Sequence, residues 1–67
     1  MKSVTGAELC RALARNGWQL VRTRGSHQTW SKSGYTSVTV PVHKGQDLKK
    51  GMLARLLKQT GLDESDL

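Results

Sequence analysis

The chain has 67 residues and a formal net charge of +6, with 36% apolar and 24% charged residues. A domain of this size buries only about 60% of the surface that its unfolded chain exposes, which excludes a deep cleft or a large enclosed cofactor. The charge is uneven: residues 1–60 carry all 11 Lys and Arg but only Glu8 and Asp47 as acids, whereas the tail 61–67 is acidic. So basic a body favours a polyanionic partner, such as a nucleic acid, over a merely solvated surface.

Composition predicts a single domain over residues 1–67 in a reducing compartment, the cytoplasm. Cys10 is the sole cysteine, so no disulfide forms within the chain. No signal-peptide pattern and no membrane-spanning apolar run are present in the sequence. Cys10, His27 and His43 lack the spacing of a zinc site, and five acids, three of them in the tail, argue against a carboxylate-held Mg²⁺. We therefore expect neither a metal nor another cofactor.

The first helix has sequence signals at both ends. The segment from Thr5 to Glu8 has the form of a capping box, in which each side chain bonds the other residue's backbone amide. Asn16-Gly17 is typical of a helix C-terminus. Together these signals predict a helix over residues 6–16.

Three strands are predicted after this helix. Short β-prone segments bounded by turn residues indicate strands over 18–23, 26–31 and 35–42, with a turn at 32–34. Pro41 lacks a backbone donor, so the third strand should end there or lie at an edge of the sheet.

Apolar residues at helical spacing from Met52 to Leu57 predict a second helix, which Gly61 ends. The element order is thus α-β-β-β-α. It predicts an α+β fold of two layers, a three-stranded antiparallel sheet with both helices on one face. The other face of the sheet would be open to a partner or to solvent.

The register of the second and third strands decides which polar residues lie together. A three-residue turn pairs Ser31 with Tyr35 and places His27 opposite Thr39. Burial favours this register, because a slip by one residue would expose the valines of the third strand. His43 then shares the polar face with His27 but lies four residues further along, roughly 13 Å away. This register predicts that the two histidines do not act on one phosphate, unless Pro41 bends the strand and brings them together.

The aromatic residues are candidates for stacking on nucleic-acid bases. Trp18 and Trp30 share the spacing of Leu20 and the valines, however, which favours packing in the core. Tyr35, beside the turn, is the aromatic residue that we expect to be exposed.

His27 is the candidate for chemistry. A lone histidine is commonly an ordinary surface residue, but its side chain titrates near neutral pH and can act as a general acid or base. Gly25 and Ser26 precede it and permit a close contact with phosphate. Metal-free cleavage of a phosphodiester needs an internal nucleophile, which the 2′-OH of RNA supplies and DNA lacks. The basic residues predicted to bind substrate beside Gly25 and Ser26 are Arg22, Arg24, Lys32 and Lys44.

Several short motifs occur in a fixed order over about residues 3–62. They are Gly17–Arg22, Gly25–His27, Val38–His43, Asp47-Leu48, Gly51–Leu53 and Lys58–Leu62. This ordered set resembles the HicA family of toxin mRNA interferases. The resemblance implies a fold similar to a double-stranded-RNA-binding domain, ribosome-independent cleavage of mRNA, and His27 as the catalytic residue. It also implies a HicB-family antitoxin that covers the site and often binds operator DNA.

The chain departs from the family pattern at two places. Many relatives have proline where this chain has Lys49-Lys50, and longer relatives continue beyond the acidic tail. Neither departure involves His27. Two other functions are compatible with the same features: a non-catalytic RNA-binding module and an inactive chain that only binds an inhibitor. A gel assay distinguishes these functions. An endoribonuclease shortens a labelled RNA, whereas neither a binding module nor an inactive chain does so.

Overall fold

The computed structural model describes residues 3–67. The elements are α1 (Gly6–Arg15), β1 (Gln19–Arg24), β2 (His27–Ser31), β3 (Val38–Pro41), α2 (Lys50–Thr60) and a final 3-10 turn, η1 (Glu64–Asp66). The strands form one antiparallel sheet in the order β1-β2-β3, and both helices contact β3. These observations confirm the predicted α+β fold of the α-β-β-β-α type. None of the described helices is long and apolar enough to cross a membrane.

Helix α1 begins and ends where local chemistry predicts. The Thr5 hydroxyl accepts from the Glu8 amide at 3.1 Å, and the Thr5 amide donates to the Glu8 carboxylate at 2.9 Å. This closes the predicted capping box. At the other end Asn16 is the C-cap, and its side-chain amide donates to the Ala12 carbonyl at 2.8 Å.

The core lies between the helices and one face of the sheet. Its fully buried side chains come from every layer: Val4, Leu9, Leu13, Val40 and Leu53. Trp18 and Trp30 are also buried, at 3% and 8% exposure, which confirms their packing in the core. Tyr35 is 46% exposed, as predicted.

The predicted register between β2 and β3 is wrong by two residues. His27 lies opposite Pro41, whereas the prediction placed it opposite Thr39, whose true partner is Thr29. A shift of two residues keeps each side chain on its face, so the predicted division into a core face and a polar face is right. Trp30 and Val38 pair on the core face.

The cause of the shift is a longer connection between these strands. The Tyr35 amide donates to the Lys32 carbonyl at 3.0 Å and closes a turn, but the chain does not return directly to the sheet. Instead the Tyr35 ring packs against Trp18, with 5.2 Å between ring centroids. Strand β3 consequently begins at Val38, three residues later than predicted.

Candidate functional site

The face of the sheet turned away from the core, here called the outer face, carries polar and basic side chains. His27 and Thr29 of β2 lie on it, since Trp30 and Gln28 alternate with them. Thr39 of β3 pairs with Thr29, and their hydroxyls lie 3.1 Å apart. Residues directly opposite in neighbouring strands share a face, so these pairs define the surface available to a partner.

His27 is presented by a tight hairpin. Gly25 and Ser26 alone connect β1 to β2, and Arg24 lies directly opposite His27. Gly25 has a φ of +58° whereas Ser26 keeps a negative φ, the combination of a type II′ turn. A Cβ added to Gly25 would meet no atom within 4 Å, so the turn is open to an approaching phosphate. His27 is exposed at the first position of β2.

A β-bulge places both candidate arginines beside this histidine. The β1–β2 register is interrupted at Val21, between the pairs Leu20–Trp30 and Arg22–Thr29. The extra residue turns the rest of β1 over, so Arg22 and Arg24 lie on the outer face whereas Leu20 lies on the face of Trp30. Without the bulge these arginines would share the face of Leu20.

His43 lies next to His27, which contradicts the predicted separation of the two. Their ring centroids are 6.5 Å apart, and the rings are nearly perpendicular at 80°. The true register explains this proximity, because His43 is only two residues beyond Pro41, the partner of His27. Such diagonal neighbours in an antiparallel sheet are within reach of aromatic side chains.

Backbone contacts hold the His43 segment against the hairpin. The Val42 amide donates to the Ser26 carbonyl at 2.6 Å, which extends the ladder past Pro41. This bond makes His27 and Pro41 a non-hydrogen-bonded pair, so the missing N–H of Pro41 costs no ladder bond. Further along, the Leu48 amide donates to the Val4 carbonyl at 2.7 Å.

A cavity of about 340 Å³ lies on the His43 side of the pair. Leu48 and Met52, which line it, pack against the core. The remaining lining is Pro41, His43, Gln46, Asp47 and Lys49. Apolar walls with a few polar groups are typical of a small-molecule site, and this volume lies at the lower end of the usual range.

The other predicted substrate-binding residues are divided between the two ends of β2. Lys44 is exposed and directly follows His43. Lys32 lies at the far end, where its ammonium donates to the Asn16 carbonyl at 2.8 Å and lies 5.4 Å from the Tyr35 ring centroid. It lies five positions along the chain from His27, roughly 16 Å away.

Cys10 is buried and belongs to the core. Burial raises the pKa of its thiol, and the nearby Trp30 indole opposes that shift with a smaller effect. Within residues 3–67, no three His, Cys, Asp or Glu side chains cluster closely enough to hold a metal ion.

Sequence reasoning missed the position of His43 and the bulge at Val21. A signal for His43 was present, since its position in the sequence places it on the same face as His27. The predicted register, which lacked the Tyr35 contact, was the reason that His43 was placed too far from His27. The bulge has no local signal in the sequence.

The fold is a small α+β domain whose element order is like that of a double-stranded-RNA-binding domain, and the outer face of its sheet carries basic residues and histidine. A family model described as the HicA toxin of bacterial toxin–antitoxin systems matches residues 6–62, from the start of α1 to just past α2. The chain belongs to this toxin family, which confirms the resemblance of its motifs. A search of curated proteins finds no match.

Proposed function

We propose that this toxin is an endoribonuclease that cleaves mRNA in the cytoplasm, with His27 as a catalytic residue. The observation that carries the proposal is the position of His27, exposed on the outer face directly opposite Arg24 and next to an open glycine turn. An imidazole beside an arginine can transfer a proton while the guanidinium stabilises charge on the phosphate. Membership of a toxin family supports a growth-inhibiting activity of this kind.

Binding of the RNA is assigned to the cations and the turn around His27. Arg24 and Arg22 contact phosphates, because guanidinium groups bond phosphate oxygens in pairs. Gly25 and Ser26 allow the backbone to approach a phosphate closely. Lys44 contributes near His43, and Lys32 contacts a more distant part of the RNA. The cavity beside His43 accommodates one nucleotide.

The reaction is an attack of the ribose 2′-OH on the adjacent phosphorus. His27 either removes the proton of that hydroxyl or protonates the leaving 5′-oxygen. The cations on the outer face stabilise the charge that develops on the phosphate oxygens. RNA is the substrate because DNA has no 2′-OH.

The partner of the toxin is an antitoxin, as its family indicates. We assign it to the HicB type, an acidic protein that covers the outer face and forms a neutralised complex able to bind operator DNA. Charge complementarity with the basic body accelerates this association and makes it sensitive to salt. The whole chain, residues 1–67, acts as one domain in this scheme, with the acidic tail 61–67 at its end.

The variant His27→Ala tests the catalytic assignment. We expect cleavage of a labelled mRNA in chelator-containing buffer to fall by about 10²–10⁴-fold, because a positioned proton-transfer group contributes that much to the rate. The products of the parental protein should carry a 2′,3′-cyclic phosphate and a 5′-hydroxyl.

The matched control is Gln59→Ala, an exposed position on α2. It should cleave as the parental protein does. His27→Ala, with and without Gln59→Ala added, should shift the intact RNA equally on a gel. A His27→Ala variant that cleaves at the parental rate would exclude His27 from the chemistry. Intact, shifted RNA with the parental protein would identify a non-catalytic RNA-binding module instead.

A further inference from the structure

We infer that His43 is the second catalytic residue, and that His27 and His43 together form the general acid–base pair of the cleavage reaction. This inference rests on the proposed endoribonuclease activity and deepens it. A 2′-OH attack involves two proton transfers, one from the nucleophile and one to the leaving group, and a lone histidine provides only one of them at a time.

The separation of the two rings suits a shared phosphodiester. The imidazoles are arranged edge to face with 6.5 Å between centroids, so a phosphate that lies across the pair is within reach of both rings. A hydrogen bond to an oxygen spans about 2.8 Å, so both rings can contact different oxygens of one phosphate. The angle of 80° directs their nitrogens along different lines. The attacking and leaving oxygens of an in-line displacement lie on opposite sides of phosphorus and need donors and acceptors arranged in this way.

The fold holds this geometry through backbone contacts. Pro41 faces His27 in the ladder, and the Val42–Ser26 bond keeps the following segment aligned with the hairpin. The turn after His43 is closed by the Gln46 amide, which donates to the His43 carbonyl at 3.0 Å. His43 lies two residues beyond β3, and these backbone bonds limit its movement relative to His27 on β2, which lowers the cost of bringing the two groups together.

The proton transfers balance as follows. One imidazole, neutral at the start, takes the proton of the 2′-OH while the 2′-oxygen forms a bond to phosphorus. The other imidazole, protonated at the start, gives its proton to the 5′-oxygen as the P–O5′ bond breaks. The products are a 2′,3′-cyclic phosphate and a free 5′-hydroxyl, and the two histidines have exchanged protonation states.

Charged groups surround both rings. Arg24 faces His27 from β1, whereas Asp47 and Lys49 line the cavity together with His43, and Lys44 follows it in the chain. The cavity is lined by His43, so the two sides of the scissile phosphate differ: a nucleotide enters the cavity at one of them.

The test compares the parental protein with His27→Gln, His43→Gln and the control Gln59→Ala. We expect His43→Gln to lower the cleavage rate by about 10²–10⁴-fold while thermal unfolding stays unchanged. In the inactive His27→Gln background, which leaves the RNA intact, adding His43→Gln should leave RNA binding unchanged. The cleavage rate of the parental protein should show a bell-shaped dependence on pH, because one imidazole must be neutral and the other protonated. Each single variant should lose one limb of that bell.

A substrate with sulfur in place of the bridging 5′-oxygen assigns the two roles. A thiolate leaves without protonation, so the variant that lacks the general acid should cleave this RNA nearly as fast as the parental protein. The variant that lacks the general base should remain slow. Recovery of one variant and not the other is the expected result.

Two outcomes would contradict the proposed acid–base pair, and a third would contradict the proposed endoribonuclease activity on which it rests. If His43→Gln cleaves ordinary RNA as fast as the parental protein, His43 has no catalytic role although the nuclease remains. If His43→Gln is slow but both or neither of the variants recover on the sulfur substrate, the division into acid and base is wrong. If the parental protein cleaves no RNA, the proposed function fails, and the pair fails with it.

Discussion

Pro41 lies at the point where β3 stops and the segment of His43 begins. Its N–H is not needed, because it faces His27 in a non-hydrogen-bonded pair, and its fixed φ limits the direction in which the chain leaves the sheet. Its carbonyl is approached closely by Gly6 at the start of α1. At the scale of single residues, the absence of a side chain at Gly6 therefore allows α1 to pack closely against β3, the strand that precedes His43.

Replacement of Gly6 by alanine tests this contact. The new Cβ would lie 2.1 Å from the Pro41 carbonyl oxygen and 3.1 Å from the Val42 Cα, and neither backbone atom can move alone. Overpacking of this kind destabilises by about 1–3 kcal/mol. We expect a lower urea midpoint and slower RNA cleavage, because Pro41 and the segment to His43 must shift.

Gly51→Ala is the matched control for Gly6→Ala. It lies in the first turn of α2, where an added Cβ meets no atom within 4 Å. Alanine has a higher helix propensity than glycine, so this change should stabilise the protein by up to about 1 kcal/mol. Equal stabilisation by both substitutions would show that α1 can move away from Pro41 freely.

At the scale of elements, what the sequence predicted depends on how local each determinant is. Helix α1 is determined within a few residues by the Thr5–Glu8 capping box and the Asn16 cap, and its bounds were predicted closely. The start of β3 depends on a contact between Tyr35 and Trp18, residues from different parts of the chain. No pattern of alternating residues contains that contact, so the register was wrong by two.

The candidate site shows the same division. His27 was predicted from its residue type and its neighbours in sequence, which require no knowledge of the sheet. Its proximity to His43 depends on the β2–β3 register, and the position of Arg22 and Arg24 on its face depends on the bulge at Val21. Both are properties of strand pairing, where one side chain's surroundings are decided by the neighbouring strand.

The η1 turn is an element whose stability should depend on pH. The Asp63 carboxylate accepts from the Ser65 hydroxyl and, at 2.9 Å, from the Ser65 amide, and these bonds lower its pKa. A carboxyl group whose pKa is lower in the folded state stabilises the fold above its unfolded pKa, and that contribution is lost as the pH falls through the folded pKa. The turn should therefore loosen in acid.

Asp63→Asn and Ser65→Ala provide the test. Both substitutions should weaken η1 at pH 7. The stability of the turn should then change less between pH 7 and acid than it does in the parental protein. Protection factors of the Asp66 and Leu67 amides, which bond within the turn, measure this once exchange is corrected for its intrinsic dependence on pH. An acid-induced change of the same size in the parental protein and in Asp63→Asn would assign the effect to another group.

At the scale of the whole molecule, the fold separates its charges from its core. The helices cover one face of the sheet, and the bulge turns Arg22 and Arg24 towards the other. The acidic end of the chain is held at α1, where the Arg15 guanidinium donates to the Asp66 carbonyl at 2.9 Å. The positive charge of the body thus remains available on the outer face.

The salt dependence of RNA binding can locate that charge. A plot of the logarithm of the binding constant against the logarithm of the salt concentration falls with a slope whose magnitude grows by about 0.7 for each phosphate that a cation neutralises on single-stranded RNA. We expect Arg22→Gln and Arg24→Gln each to reduce the slope by roughly that amount. Arg55→Gln, an exposed position on α2, should leave it unchanged. Binding is measured in a His27→Ala background so that the RNA stays intact.

The comparison of these three arginines distinguishes a defined interface from a diffuse one. All three positions carry the same charge and are exposed, so a general attraction of the basic body for RNA would reduce the slope equally at each of them. A contact surface on the outer face would affect Arg22 and Arg24 alone, because α2 packs on the opposite side of the sheet. Equal reductions would therefore remove the outer face as the binding surface, and with it the reason for placing the scissile phosphate between His27 and His43.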